Sequence, residues 1–451
     1  MIDRSRLKTL LDREREEFRA RNPRSAAAYE AARASLFGGV PMTWMNKTAA
    51  GFPLYLDSAR GARVTDLDGH EYVDLCLGDT GAMAGHSPEP TVSAVARRFG
   101  EQGGATVMMP TEDATWVGAE LARRFSVPYW SFSLTATDAN RWAIRLARAI
   151  TGRPKILVFS YCYHGSVDEV LLVVGPDGEQ VSREGNVGPP VDPTVTTRVV
   201  EFNDLASLER ELAYGDVAAV LMEPALTNVG IVLPEPGYLE GVRELTRTYG
   251  SLLINDETHT FSAGPGGCTA AWDLEPDIVT IGKALGGGIP CGGYGLSASV
   301  AARVESMSVL DLVDVGGVGG TLAGNALSMA AMRATLGEVL TDEAFTGMIA
   351  LATRFTEGVQ KVIGTHGLPW SVTQLGARAE YRFRDPAPRN GGESNAAEDT
   401  ELEDYLHVYL ANRGVLLTPF HNMALMCPAT TSEDVDRHHE VFAEAVQELT
   451  G

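Results

Sequence analysis

Lys283 stands in the run IVTIGKALGGGIPCGGYG, where an apolar strand pattern ends, a lysine follows and a glycine cluster lets the chain bend tightly. Burial penalises an ammonium, so a lysine leaving a buried strand favours its neutral amine, the form that attacks a carbonyl to make a Schiff base. The competing reading is a strand-end lysine that reaches solvent. A Walker A loop is excluded, because the positions that motif requires as glycine and Ser/Thr are Asp277 and Ala284.

Asp256 ends a second apolar run, SLLIND, 27 residues before Lys283. That interval is long enough for a connection between neighbouring strands. In open α/β sheets, ligands bind at the carboxyl ends of the strands. A Schiff-base lysine with an acidic partner on a pyridinium nitrogen is the pair that pyridoxal phosphate (PLP) demands. The anion keeps the ring nitrogen protonated, so the ring can accept electrons from a carbanion. Taken alone, Asp256 also fits a helix N-cap after a strand.

Three further features fit an anionic, flat cofactor. The turn Thr135-Ala136-Thr137-Asp138 precedes the helical run ANRWAIRLARAI, and small residues at a positive helix N-terminus suit a phosphate. Tyr163-His164-Gly165 follows the strand pattern KILVF and offers an aromatic ring for stacking. In GGTLAGNALSMAA, Thr321 is a donor before a tight turn at Gly324 and Asn325. Each also reads as an ordinary cap or packing residue.

A repeated strand–helix alternation must position these residues. Strand patterns fall at 155–159, 217–222, 252–255 and 277–282, with helical patterns at 138–150 and 238–249 between them. Near-continuous apolar runs point to a parallel sheet covered on both faces. Residues 175–197 and 384–401 read as polar, Gly/Pro-rich loops, and the second is expected to be mobile. The N-terminus reads as a charged surface helix with Leu7, Leu10, Leu11 and Phe18 inward.

The chain has 451 residues, a net charge of -22 and 44% hydrophobic residues. This excludes disordered and fibrous classes and disfavours nucleic acid and anionic membrane as partners. The five scattered cysteines form no metal or disulfide pattern and suit a reducing cytoplasm. No run reaches membrane-span length.

The order and spacing of TATDAN, TGRPKILVFSYCYHG, LMEPALTNVGIVLPEPGYLEGVRELTRTYGSLLINDE, TIGKALGGGIPCGGYG and GGTLAGNALSMAA resemble the class III aminotransferases. These are PLP enzymes of fold type I, and the likeness is nearest the branch of glutamate-1-semialdehyde aminomutase and the amine and β-amino-acid transaminases. The resemblance implies a large domain over 61–330 with a mostly parallel seven-stranded sheet. Residues 1–60 would be an N-terminal segment packing with a small α+β domain over 331–451. It implies Lys283 as Schiff-base lysine and proton shuttle and Asp256 on the ring nitrogen. Ala136 and Thr137 would hold the phosphate and Tyr163 would stack on the ring, with Glu223, Asn228 and Thr258 beside the cofactor. Thr321 would reach the phosphate of the neighbouring subunit, which makes the expected assembly a homodimer with active sites at its interface. Trp44, Met45, Met83 and Tyr163 would line the substrate pocket, and Met42 and Met108 lie in segments that line it in relatives.

Three departures from the family pattern stand out. Ala136 replaces a glycine of the phosphate turn, Thr258 replaces a valine behind the ring, and Phe261 replaces a glycine after it. Residues 40–45 carry no arginine for a substrate carboxylate, and Arg378, Arg382 and Arg384 are the candidates farther along. The reading is therefore a transaminase acting between an apolar or aromatic primary amine and an oxo acid or ketone. The alternatives are a glutamate-1-semialdehyde 2,1-aminomutase, a β-amino-acid transaminase, or a non-enzymatic PLP-binding protein.

Overall fold

Seven strands form one sheet in the computed structural model, which describes residues 2–307 and 317–451. They are β1 (Tyr129–Ser133), β2 (Lys155–Phe159), β3 (Thr197–Val200), β4 (Val217–Met222), β5 (Leu252–Asp256), β6 (Ile278–Ile281) and β7 (Gly292–Leu296). Their spatial order is β1-β7-β6-β5-β4-β2-β3. Neighbours from β6 to β3 pair in parallel, while β7 runs antiparallel to both β6 and β1. Every residue of β4, β5 and β6 is buried, as a sheet covered on both faces requires.

Helices α1 (Ala136–Thr151), α2 (Tyr238–Tyr249) and α3 (Ala326–Ala334) belong to the same unit as the sheet. Thr135 caps α1 by accepting from the Asp138 N–H, and Gly152, in the left-handed region, closes it. The apolar stripe Ala139, Trp142, Ala143, Leu146 and Ala147 is buried in the core. In the same core, Phe202 packs against Tyr238 (4.7 Å between ring centroids) and Phe159 (5.6 Å).

The described chain divides into two compact units. The sheet unit comprises Glu89–Phe345 and Pro388–Ala396. The other comprises Met1–Pro88, Thr346–Ala387 and Ala397–Gly451. Strands Arg63–Asp66 and Glu71–Asp74, which the sequence reading places at the head of the large domain, belong to this second group. The reason is pairing: Val73 and Asp74 lie beside Val415 and Leu416 in a parallel ladder. The N-terminal helix Arg4–Arg21 buries Leu7, Leu10, Leu11 and Phe18 as expected, and also Glu14. The Glu14 carboxylate accepts from Asn412 Nδ2 (2.8 Å) and Arg413 Nη1 (2.9 Å).

Two segments differ from the loops read in the sequence. Residues 172–174 and 180–182 pair as a short antiparallel hairpin at the head of the 175–197 stretch. The 384–401 stretch contains the helix Gly391–Ala396, and Asp399 caps a helix over Thr400–Asn412. Its polar composition conceals a packed segment: a Cβ on Gly391 would come within 2.2 Å of the Ser160 carbonyl oxygen. Asn390 Oδ1 accepts from the Glu393 N–H at 2.8 Å and starts the short helix.

Among the described residues, no helix is long and apolar enough to cross a membrane. Phe202→Ala removes the ring between Phe159 and Tyr238 and is expected to destabilise the protein by about 3–5 kcal/mol. Val187→Ala, at a 92% exposed position, is expected to change it by less than about 0.5 kcal/mol. Denaturant unfolding of both variants checks the contrast.

Candidate active site

Parallel pairing brings the two chemical candidates to one edge of the sheet. Asp256, the last residue of β5, lies opposite Thr280 of β6. Lys283 follows three residues later, beyond the end of β6 at Ile281. The chain turns there through an unusual backbone: Lys283 itself has φ +49°. A non-glycine residue in the left-handed region costs on the order of 1 kcal/mol or more and tends to mark a functional position. Gly282 lets this turn sit against α1, since a Cβ there would meet the Ala136 nitrogen at 2.8 Å.

The Asp256 carboxylate is buried and held from three sides. Oδ2 accepts from Asn140 Nδ2 (2.8 Å) and pairs with His164 Nδ1 (2.9 Å). Oδ1 accepts from the Thr258 N–H (3.0 Å). Thr280 Oγ1 donates to Asn140 Oδ1 (2.6 Å), which fixes the amide so that its NH2 faces the carboxylate. Burial works against ionisation of Asp256, but the His164 partner outweighs it and holds the carboxyl below the usual 3.8. Burial likewise opposes the imidazolium of His164, and Cys162 and Asp256 outweigh it, pushing His164 well above 6.5.

Glu257, next in the chain, has a structural role. Its buried carboxylate accepts from the Cys268 N–H (3.0 Å) and the Thr269 N–H (2.6 Å), tying the end of β5 to the helix Gly267–Ala271. Phe261 is absorbed by the core, packing on Phe345 (5.4 Å) and Phe125 (6.0 Å). Its bulk therefore lies away from the turn where the sequence comparison placed it.

The phosphate candidates converge at the N-terminus of α1. Ala136 and Thr137 occupy its first turn, where backbone N–H groups have no intrahelical acceptor. Thr137 Oγ1 accepts from the Ser166 N–H (3.2 Å). Gly165 (φ +84°) packs so closely here that a Cβ would come within 2.1 Å of Thr137 Oγ1. Tyr163 is half-buried, and its N–H donates to Glu223 Oε1 (3.0 Å). Glu223 also accepts from the Thr227 N–H (3.1 Å), and burial pushes its carboxyl above 4.5. Asn228 Nδ2 donates to the Tyr161 carbonyl (3.1 Å). The two residues thus orient the loop that carries Tyr163.

This donor set fits a phosphorylated pyridine. A carboxylate offers about four lone-pair positions; here three are used, leaving Asp256 an acceptor for a ring N–H. Thr258 Oγ1 is buried with no hydrogen-bond partner among the described residues. The Gly165 and Gly282 cradle brings two backbone segments against an anion-binding helix end.

Thr321 is exposed, in a turn ahead of α3. Trp44 and Met45 are exposed and belong to the other unit, as does the fully buried Met83; Met108, in the sheet unit, is 87% exposed. Arg378 and Arg382 are also buried in the other unit. Arg378 Nη2 donates to Thr80 Oγ1 (2.5 Å), and Arg382 lies 3.9 Å from Glu380 and 3.7 Å from Glu403. The sequence reading passed over Asn140, which nothing in TATDAN distinguishes from a helix-surface residue. It also passed over His259, whose ring Nε2 lies 2.7 Å from Lys283 Nζ.

Comparison with known proteins matches residues 44–446 to the model of a family described as aminotransferase class-III. The chain is 33% identical over 445 residues to a glutamate-1-semialdehyde 2,1-aminomutase of Chloroflexus aggregans, covering 95% of this chain and 99% of that one. Its structure is similar to that of a glutamate-1-semialdehyde aminomutase variant from Pseudomonas aeruginosa PAO1 in complex with PMP. There the TM-score is 0.96, with 50% identity and 99% of each chain covered. An omega-transaminase from Sphaerobacter thermophilus gives a TM-score of 0.85 at 31% identity, with 95% and 98% covered.

Gly165→Ala is expected to raise the dissociation constant for PLP by about tenfold or more by displacing Thr137, measured by titrating the cofactor-free protein. The Asp256–His164 pair should also shape stability against pH. The lowered carboxyl contributes above 3.8 and is lost as pH falls through its folded value. The raised imidazole contributes fully below 6.5 and is lost as pH rises through its folded value. The melting-temperature gap between the wild type and His164→Gln is therefore expected to be widest between those two values and to narrow on both sides.

Proposed function

The chain belongs to the class III aminotransferases, PLP enzymes of fold type I, and we propose that within them it acts as a glutamate-1-semialdehyde 2,1-aminomutase. The observation that carries this reading is likeness over the whole chain to proteins bearing that name, at 33% identity in one and 50% in another. An aminomutase moves an amino group between adjacent carbons of one molecule and consumes no external acceptor.

Bound PLP supplies an aldehyde that takes up the amino group and a ring that accepts electrons from the carbon losing its proton. The protein supplies position and proton handling. The N–H groups of Ala136 and Thr137 at the head of α1 hold the phosphate. Asp256, fixed by His164 and Asn140, accepts from the ring nitrogen and keeps it protonated. Tyr163, on a loop fixed by Glu223 and Asn228, would cover one face of the ring, and Thr258 would stand beside the cofactor. Lys283 would hold the aldehyde when no substrate is present. Its free amine would take the proton from the reacting carbon and return it to the carbon on the other side of the nitrogen. Thr321 reaches the phosphate of a second copy, so the working form is a homodimer.

A second reading is an amine transaminase, which one observation favours: residues 40–45 contain Met42, Trp44 and Met45 and no arginine. Exposed apolar groups there suit an apolar donor.

One pair of assays separates the two. Purified protein given glutamate-1-semialdehyde without oxo acid is expected to yield the isomer with its amino group on the former aldehyde carbon. Absence of that isomer, together with oxo-acid-dependent turnover of arylalkyl amines, would establish the transaminase instead.

A further inference from the structure

The 2.7 Å contact between Lys283 Nζ and His259 Nε2 joins a basic ring to the one amine expected to react. His259 lies three residues beyond Asp256, in the αR region (φ -97°, ψ -37°) at the start of a short turn, Thr260–Ala263. Both side chains are half-buried. The two residues leave adjacent parallel strands, β5 and β6, at the same edge. The pairing of the sheet itself thus sets their approach.

A hydrogen bond of this length needs a lone pair on one of the two nitrogens. At least one of them therefore lacks its proton whenever the contact is made. With the imidazole proton on Nδ1, Nε2 accepts from the lysine; with both ring nitrogens protonated, Nε2 donates to a neutral amine. These are the two ends of one proton transfer, and the observed distance serves both.

We infer that His259 is a catalytic residue that takes the proton from the Lys283 ammonium and so releases the neutral amine that attacks an aldehyde. In this step the Nζ–H bond breaks and an Nε2–H bond forms. The positive charge passes from the lysine to the imidazole, and the electron pair left on Nζ becomes the nucleophile. No other reactant is needed. Imidazole suits the role because its ordinary basicity lies near neutrality, so that the ring can both accept a proton and give it up again at working pH. The inference rests on Lys283 being the residue that holds the cofactor aldehyde, and the test separates the two ideas.

The full-length protein is freed of cofactor and mixed with PLP. The rate of aldehyde capture is followed by absorbance, and the modified lysine is located after borohydride reduction. His259→Gln keeps a polar group of similar reach but cannot carry the proton. It is expected to slow capture on the order of 10²-fold while leaving the final stoichiometry unchanged. His259→Ala is expected to be equally slow and to regain rate in proportion to added imidazole, a response that a purely structural role does not produce. Capture by His259→Gln at the wild-type rate, or no response of His259→Ala to imidazole, overturns the role of His259. Capture by Lys283→Ala as in the wild type overturns the lysine assignment itself. Far-UV circular dichroism of the two His259 variants identifies any that fail to fold, and either one alone decides the question.

Discussion

A carboxylate buried at the end of a strand cannot be left alone. Desolvation of an unpaired charge costs several kcal/mol, so a protein that keeps Asp256 ionised must build partners around it. Two of those partners are distant in the chain, Asn140 on α1 and His164 on the loop after β2, and the third is the Thr258 N–H, just beyond β5. Holding them together fixes the helix, two strands and a loop relative to one another. Thr280, on β6, locks the Asn140 amide. The geometry of the helix end, the aromatic loop and the lysine turn all depend on this one buried anion.

Much of this framework is written locally. KILVF and VAAVLM are β2 and β4 residue for residue, because a strand covered on both faces is apolar at every buried position, here all but Lys155 at the start of β2. The 238–249 helix is likewise legible, bounded by Gly237 and Gly250 in left-handed conformations. Lys283 and Asp256 could be paired from sequence because neighbouring parallel strands deliver their ends to one edge, whatever happens between them.

The rest depends on contacts that no local window contains. Asn140 and His164 reach Asp256 across 116 and 92 residues. His259 meets Lys283 across 24 residues, and its neighbours THTF give no periodic signal. Composition misleads at 384–401, where Gly391 is present for its missing side chain rather than for flexibility. At Phe261 the family pattern predicts a bulkier turn, but the side chain packs into the core beside Phe125 and Phe345. The apolar residues 40–45 suggest an amine donor, whereas whole-chain likeness favours the aminomutase.

The ion pair of the N-terminal helix bears on how the protein is made. Glu14 finds Asn412 and Arg413 only after nearly the whole chain exists, at a separation of 398 and 399 residues. Leu7, Leu10, Leu11 and Phe18 are on the same helix. Before residues 412 and 413 are made, the helix Arg4–Arg21 therefore carries an apolar stripe and an acid whose only partner in its own helix is Arg13 among the described residues. The sheet unit, continuous from Glu89 to Phe345 apart from a short later insertion, can gather its core in the interval. The packing of the helix Arg4–Arg21 is thus completed late, by residues that lie almost four hundred positions further along the chain.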